Sequence, residues 1–222
     1  MSRRERIAEK HRLNVEELRL SEENHKERQK YYCDVLDRYR AINNSTVFIE
    51  TGTFKGNTTA LAAERFEQVY TIELSDELFH SSGEKLSSLS NVVCLHGDSK
   101  LLLEPLVETI DSDVSIVFYL DAHYFLRGLT RAERWRKLVP KTSPFPLVEE
   151  LEVIANRRTS ALDVVVVDDV HTWGRKLPVP EWYTVSSDMV TKHLSTRTIV
   201  TEEFDGDRFV CTVGPSDVGL HW

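Results

Sequence analysis

VFIETGTFKG, residues 47–56, is the segment from which the fold of this chain can best be predicted. Its β-branched and aromatic residues run directly into Glu50 and then into Gly52 and Gly56. Such a run suits a buried strand, and Gly52 allows a tight turn in which the backbone approaches a ligand without an intervening Cβ. The residues from Asn57 onward are typical of a helix. A strand, a turn and a helix in succession predict a cofactor cradle.

Spacing excludes two nucleotide-binding patterns that share this outline. A dinucleotide fingerprint, G-x-G-x-x-G, starting at Gly52 would require glycine at Phe54 and at Asn57. A phosphate-binding loop, G-x-x-x-x-G-K-[ST], would require glycine at Asn57 and lysine at Thr58. The chain has neither set of residues. The remaining pattern is E-x-G-x-x-x-G, from Glu50 to Gly56. Alternatively, this segment is an ordinary strand-to-helix turn without a ligand.

Length and composition predict one globular domain. The chain has 222 residues, 41% hydrophobic and 29% charged, which is enough for one core. A net charge of -8 argues against general binding to nucleic acid or to anionic membranes, since both favour basic proteins. Cys33, Cys94 and Cys211 are far apart, so neither a disulfide framework nor a zinc knuckle is indicated. With no apolar run of membrane length and no leader pattern, we expect a soluble, cytoplasmic protein.

The N-terminal region differs from the rest of the chain. It is dense in both charge signs, with apolar residues at roughly helical intervals. We predict a charged helical extension over residues 1–42 and a cofactor-binding domain over 43–222. The extension could pack on the domain edge, cover the cofactor or form a dimer contact. The protein could therefore be a homo-oligomer.

Seven segments have the composition of β-strands. The first five alternate with helical patterns, and Asp205-Gly206 between the last two is a hairpin turn. This order predicts an α/β, doubly wound, mostly parallel and Rossmann-like sheet of seven strands with an antiparallel last strand. The segments are 47–49, 68–73, 91–96, 114–120, 162–167, 198–201 and 208–213.

Acidic residues follow the second and third of these segments. Glu73 ends the second strand, where an acid can accept hydrogen bonds from both hydroxyls of an adenosine ribose. Asp98 follows the third strand, where it could cap the next helix. Glu73 therefore supports a nucleoside cofactor without choosing among the classes of nucleoside.

A second acidic cluster follows the fourth and fifth strands. Asp121 and His123 follow the fourth strand, and Asp168 and Asp169 follow the fifth. If strands one, four and five are neighbours, these residues meet Glu50 at the carboxyl edge of the sheet, where open parallel sheets bind ligands. Crowded aspartates repel unless protonated or bound to a cation, and oxygen ligands favour Mg²⁺, Mn²⁺ or Ca²⁺. We predict Asp121, Asp168 and Asp169 as metal ligands; alternatively, Asp121 serves the cofactor alone and the pair caps a loop.

Two histidines near these strand ends are candidate bases. The unperturbed pKa of a histidine lies near neutrality, so His123 or His171 could accept a proton from a substrate. His123 is preferred because its strand is the more central.

The order of these motifs resembles a known family. E-x-G-x-x-x-G is similar to the first motif of class I S-adenosylmethionine-dependent methyltransferases. The whole set resembles little-characterised bacterial members of that class and, more distantly, the metal-dependent sugar O-methyltransferases of macrolide and aminocoumarin biosynthesis. The similarity covers roughly residues 46–172. It rests on the segments 48–53, 70–74, 97–99, 120–124, 146–151 and 167–169.

The resemblance implies S-adenosylmethionine as the cofactor. Residues matching Gly52 and Gly56 line its methionine half, and Thr53 stands where the family often has glycine. Asp98 matches the acid that reads the adenine amino group. The complete set implied for the cofactor is Glu50, Gly52, Thr53, Gly56, Glu73, Asp98, Ser99 and Asp121.

The resemblance also implies a reaction. In the sugar enzymes the metal ligands match Asp121, Asp168 and Asp169, and the catalytic base matches His123. A divalent ion such as Mg²⁺ would hold the substrate hydroxyl and lower its pKa while His123 accepts the proton. The implied activity is O-methylation of a small molecule or sugar, with His123 and Asp121 as catalytic residues. A metal-dependent, hydroxylase-like enzyme and a non-catalytic cofactor-binding module are the alternatives.

Two features between the fourth strand and the C-terminal hairpin bear on the substrate. The basic segment 127–141 departs from the relatives and could be a lid over an anionic substrate or a solvated helix face. Trp173, Trp182 and Tyr183 could stack on a sugar ring or pack in the core.

Overall fold

The computed structural model describes residues 26–27, 29–122, 146–173 and 184–215. The chain divides into two compact units, Met1–Arg38 and Tyr39–Trp222, so the domain boundary expected at residue 42 stays a prediction. No helix among the described residues is long and apolar enough to span a membrane. His123, the basic segment 127–141, Trp182 and Tyr183 lie outside the described residues.

Helices and strands alternate along the described chain. Residues 29–43 form helix α1. The strands are β1 (Val47–Thr51), β2 (Gln68–Glu73), β3 (Val92–His96), β4 (Ile116–Leu120), β5 (Asp163–Val167), β6 (Thr198–Asp205) and β7 (Arg208–Gly214). The other helices are α2 (Asn57–Ala63), α3 (Asp76–Leu86), α4 (Ser99–Val107), α5 (Leu147–Arg157) and α6 (Ser187–His193), with a short 3-10 helix at Val170–Thr172.

All seven strands form one sheet in the order β3-β2-β1-β4-β5-β7-β6. The first five strands pair in parallel, and β7 runs antiparallel to both β5 and β6. This confirms the predicted seven-stranded, doubly wound sheet. The strand order reverses between β1 and β4, and ligands of open parallel sheets bind at such a switch point.

Helices cover both faces of the sheet. Consecutive residues of a strand point to opposite faces, so Ile49 and Glu50 lie on opposite sides of β1. Thr59 of α2 bonds to Glu50, which places α2 on that side. Ile49 belongs to the main hydrophobic cluster together with residues of α4, α5 and α6, such as Leu103 and Leu151. Burial on both faces explains the nearly continuous apolar sequences of β1, β4 and β5.

Strand β6 is longer than its apolar residues suggest. The sequence predicts residues 198–201, but the strand continues to Asp205 and pairs there with β7. The additional residues include Glu202 and Glu203, which are exposed. Because β6 is an edge strand, its backbone can pair while charged side chains face solvent.

A buried ion cluster ties the amino end of β5 to its neighbours. Asp163 is fully buried, and its carboxylate accepts hydrogen bonds from the Ile116 backbone N–H at 2.9 Å and from Arg197 at 2.7 Å. The Nη2 of Arg158 lies 3.4 Å from the other carboxylate oxygen, Oδ1 of Asp163. Arg197 also donates to the Val213 carbonyl at 3.1 Å. The cluster therefore joins β4, β5 and β7. There was no indication of it in the sequence, because arginine side chains are usually exposed.

Candidate functional site

The turn after β1 has a conformation that requires glycine. Gly52 has a φ of +87° and Gly56 a φ of +64°, both in the left-handed region that L-residues avoid. A Cβ at Gly52 would lie 2.4 Å from the carbonyl oxygen of Asp121. The residue that Gly52 accommodates is thus the end of β4. The sequence suggested that a nearby ligand requires this glycine. The close approach of Asp121 is a second reason.

Glu50 supports this turn from inside the protein. It is 2% exposed, and its Oε2 accepts hydrogen bonds from Thr59 at 2.5 Å and from Thr71 at 2.7 Å. Burial raises the pKa of Glu50 to about 8; the two hydroxyls oppose this rise, and the nearby charges of Asp121 and Glu73 add to it. Glu50, Glu73 and Asp121 are therefore brought together at the ends of three neighbouring strands; the sequence predicted this for Glu50 and Asp121, and the structure adds Glu73.

The raised pKa of Glu50 makes stability dependent on pH. Between the unfolded value of 4.5 and the folded value of about 8, only the folded protein holds this proton, so rising pH destabilises the folded state. The Glu50→Gln variant should lack this contribution. We expect its stability relative to wild type to increase by about 1.4 kcal/mol per pH unit through that window, measured by urea unfolding. Parallel pH profiles for the two proteins would contradict the buried, protonated carboxyl.

Glu73 is held between the turn and the next helix. Its Oε2 accepts a hydrogen bond from the Phe54 backbone N–H, and its Oε1 accepts one from the Ser75 N–H, both at 2.8 Å. A carboxylate has about four lone-pair positions, so both oxygens can accept further hydrogen bonds, including those of a ribose. The side chain is fixed in place and nearly buried.

Asp98 caps helix α4, which confirms the simpler expectation for this residue. Its Oδ1 accepts a hydrogen bond from the Lys100 N–H at 3.3 Å, and its Oδ2 lies 3.8 Å from the Lys100 Nζ. Two large apolar side chains close in sequence to Glu73 and Asp98 are exposed: Leu74, which follows Glu73, is 46% exposed, and Leu101, three residues after Asp98, is 67% exposed. Acids beside exposed apolar side chains suit a purine nucleoside, which has apolar faces and a polar rim.

The end of β4 adjoins β1 and the end of β5 adjoins β4, as the sheet order requires. The Asp121 N–H donates to the Thr51 carbonyl at 3.0 Å, and the Asp168 N–H donates to the Leu120 carbonyl at 3.1 Å. This places the backbones of both aspartates at the carboxyl edge. Asp168 directs its carboxylate toward Tyr119, which donates a hydrogen bond from its hydroxyl.

The carboxylate of Asp168 is already occupied by groups of the protein. Besides Tyr119, it accepts a hydrogen bond from the Asp169 N–H at 2.9 Å, and the Nε of Arg208 lies 3.7 Å away. Burial raises the pKa of Asp168, and the Arg208 charge opposes that rise. A cation would have to displace a guanidinium here, so these contacts do not fit the predicted set of Asp121, Asp168 and Asp169. That set of metal ligands stays a prediction.

Asp169 lies instead near a histidine. Ligand atoms of Asp169, His171 and Asp207 come within 4.8 Å of one another. The Nδ1 of His171 is 2.5 Å from the Oδ2 of Asp207, and the backbone N–H of His171 donates to Oδ1 of the same aspartate at 2.7 Å. A carboxylate on Nδ1 orients an imidazole for proton transfer at its other nitrogen. His171 therefore has the geometry of a base in the structure, whereas His123 lies outside the described residues.

Several residues of the site were not predicted from the sequence. Thr59, Thr71, Tyr119 and Arg208 hold the acids in place, yet they lie within a helix or apolar strands and have no motif of their own. Their alternation in the strands was the available signal, because every second residue of β2 and β4 faces the side of Glu50.

Solved structures share this fold at low sequence identity. The O-methyltransferase TomG from Streptomyces achromogenes, involved in tomaymycin synthesis and solved in complex with SAM, is 17% identical, with a TM-score of 0.52 over 82% of this chain and 79% of that chain. The SAH-bound methyltransferase PaMTH1 from Podospora anserina is 13% identical, with a TM-score of 0.53 over 86% and 78%. An S-adenosylmethionine-dependent methyltransferase from Clostridium acetobutylicum ATCC 824 is 12% identical, with a TM-score of 0.51 over 84% and 91%. No family model and no curated protein matches the sequence. The chain has the class I methyltransferase fold.

Proposed function

We propose that this chain, which has the class I methyltransferase fold, is an S-adenosylmethionine-dependent methyltransferase. The observation that carries the proposal is the grouping of Glu50, Glu73 and Asp121 around the glycine turn at the switch point of the sheet. In this fold the carboxyl edge at the switch point is where a ligand binds.

The charge of this edge favours a cationic cofactor. The three carboxyls lie close enough for Asp121 and Glu73 to raise the pKa of Glu50. The charges of Asp121 and Glu73 would repel the pyrophosphate of a dinucleotide and attract a sulfonium and an ammonium group, while the protonated Glu50 is neutral. S-adenosylmethionine carries both cations and no phosphate. The absence of both phosphate-binding motifs around Gly52 supports the same choice.

Each part of the cofactor has residues that would hold it. Glu73 would accept the ribose hydroxyls, and Asp98 with Ser99 would bind the adenine. The turn from Gly52 to Gly56 would enclose the methionine half. When bound, S-adenosylmethionine supplies an electrophilic methyl group on a cationic sulfur.

The acceptor we propose is a hydroxyl group of a small molecule or sugar, bound beyond the ends of β4 and β5. The O-methyltransferase among the structures of similar fold supports this choice. A hydroxyl loses its proton as its oxygen attacks the methyl group, and a histidine accepts it at neutral pH. His123 and His171 are the two candidates, and Asp207 holds His171 in position.

Calorimetry with S-adenosylmethionine tests the proposal without knowledge of the acceptor. We expect wild-type protein to bind and Glu73→Gln to bind at least tenfold more weakly, because the amide cannot accept on both sides and leaves a ribose hydroxyl without a full partner. Asp76→Asn is the control, since Asp76 is an exposed acid three residues later whose side chain is 79% exposed. Its affinity should equal that of wild type.

The remaining outcomes separate the competing functions. A wild-type protein that does not bind the cofactor would contradict a methyltransferase and would favour the hydroxylase-like alternative. Repeating the titration with Mg²⁺ tests metal assistance, which the contacts of Asp168 do not favour. Binding without transfer to any hydroxyl acceptor would favour the non-catalytic module.

A further inference from the structure

Arg208 is a buried cation at the carboxyl edge of the sheet. It is the first residue of β7, which pairs with β5 so that Phe209 lies opposite Val167. The next position along these two antiparallel strands brings Arg208 to Asp168, and the Nε of Arg208 lies 3.7 Å from Oδ1 of Asp168. Because a guanidinium stays protonated at every physiological pH, a permanent positive charge lies beside the acid that follows β5.

The hydroxyl of Tyr119 connects the arginine to the acid. It accepts a hydrogen bond from the Nε of Arg208 at 2.8 Å and donates one to Oδ2 of Asp168. The other carboxylate oxygen, Oδ1, accepts a hydrogen bond from the backbone N–H of Asp169 at 2.9 Å. Both oxygens of Asp168 therefore have partners within the protein, and these partners come from β4, from the segment after β5 and from β7.

A divalent ion at this carboxylate would meet the charge of the arginine. Mg²⁺ binds carboxylate oxygens at about 2.1 Å, so an ion on Oδ1 of Asp168 would lie within a few ångströms of the guanidinium. Two positive charges at such a separation repel strongly where water is excluded. Arg208 cannot easily withdraw, because its charge would then be buried without a counter-charge.

The residue before Arg208 holds the segment after β5 as well. Oδ1 of Asp207 accepts a hydrogen bond from the backbone N–H of His171 at 2.7 Å, and its backbone carbonyl accepts one from the Val170 N–H at 3.0 Å. Two consecutive residues between β6 and β7 thus fix this segment: Asp207 binds the 3-10 helix, and Arg208 pairs with the acid. A metal bound by the acids after β5 would order the same segment.

We infer that Arg208 takes the place of a divalent cation at this edge of the sheet. Its guanidinium pairs with the Asp168 carboxylate, and the β6–β7 connection orders the segment after β5 without a metal. The inference goes beyond the proposed function, because it concerns the cation at Asp168 and not the transfer of a methyl group. Removing the arginine should therefore create a metal site that the wild-type protein lacks.

Titration with Mn²⁺, followed by the electron paramagnetic resonance signal of the free ion, tests the inference. Mn²⁺ is the probe because it takes the same oxygen ligands as Mg²⁺. Arg208→Gln should bind Mn²⁺ at least about tenfold more tightly than wild type, because the change leaves Asp168 as a carboxylate without its cation. Adding Asp168→Asn to this variant should remove the gain.

Two further variants are matched controls. Arg208→Lys keeps a cation at the same position and should bind Mn²⁺ as weakly as wild type. Arg157→Gln removes the arginine of an ion pair with Glu104 in which both side chains are about half exposed. It should gain no Mn²⁺ affinity, because water already solvates that carboxylate.

Three outcomes would overturn or limit the alternatives. Wild-type protein that binds Mn²⁺ and loses this binding in Asp168→Asn would overturn the inference, since Asp168 would then be a metal ligand despite the arginine. A folded Arg208→Gln without any gain would overturn it as well. If Arg208→Gln does not fold, the comparison of wild type with Asp168→Asn decides: equal Mn²⁺ affinity supports the inference, and a loss overturns it. Calorimetry with S-adenosylmethionine is a separate measurement, so a failure to bind the cofactor would contradict the proposed function alone.

Discussion

Replacing Asp163 by asparagine should lower the free energy of unfolding by about 3–5 kcal/mol. The carboxylate is fully buried and lies between two guanidinium groups, 2.7 Å from Arg197 and 3.4 Å from Arg158. Removing its charge leaves both cations buried without a counter-charge, and an amide cannot compensate for either. Urea unfolding followed by circular dichroism measures the loss.

The neighbouring arginine provides a matched control. Arg157 also pairs with a carboxylate, Glu104, at 2.6 Å, but both side chains are about half exposed. Water and salt screen an exposed pair, so Glu104→Gln should leave the unfolding midpoint nearly unchanged. Equal effects of the two carboxylate-to-amide changes would contradict the assignment of the buried cluster as a main stabilising feature.

Replacing Gly52 by alanine should weaken cofactor binding on the order of 100-fold, comparable to the loss that a displacement of about 1 Å can cause in an active site. The φ of +87° is unfavourable for alanine, and the new methyl group would lie 2.4 Å from the Asp121 carbonyl oxygen, where only the backbone can yield. The turn and the end of β4 must therefore separate. Both border the proposed site, so the acids around it lose their arrangement. Calorimetry with S-adenosylmethionine measures the change.

Gly83 is the control for this substitution. It lies within α3, and a Cβ built there meets no atom within 4 Å. Gly83→Ala should leave cofactor affinity unchanged and stabilise the protein by about 0.5–1 kcal/mol, because alanine loses less conformational freedom in a helix. If Gly52→Ala bound the cofactor as well as Gly83→Ala does, the turn would not be part of the site.

The fold could be predicted from local patterns. Each strand from β1 to β5 is a short apolar run delimited by polar or glycine residues, and alternation with helical segments leaves few topologies to consider. Ser75 and Asp98 cap α3 and α4 as such residues commonly do. The boundary of β6 could not be predicted in this way, since charged residues at an exposed edge carry no strand signal.

The site could be predicted in part. Residues that follow parallel strands meet at one edge whatever their neighbours are, so Glu50 and Asp121 were expected to converge there, and the structure adds Glu73 to them. The direction of each carboxyl could not be predicted from the sequence. Asp168 follows β5 as expected, but its carboxylate turns to Tyr119 and Arg208, which come from other strands.

The order of apolar runs, glycines and acids along this chain was enough to establish the doubly wound sheet and the edge at which its acids lie, because these depend on periodicity and on the geometry of a parallel sheet. Which partner each acid has depended on residues distant in sequence. Thr59 and Thr71 donate hydrogen bonds to Glu50, and the charge of Arg208 lies beside Asp168. Hydrogen bonds and charge pairs act over a few ångströms, so they are settled by packing in space, which no local stretch of sequence specifies.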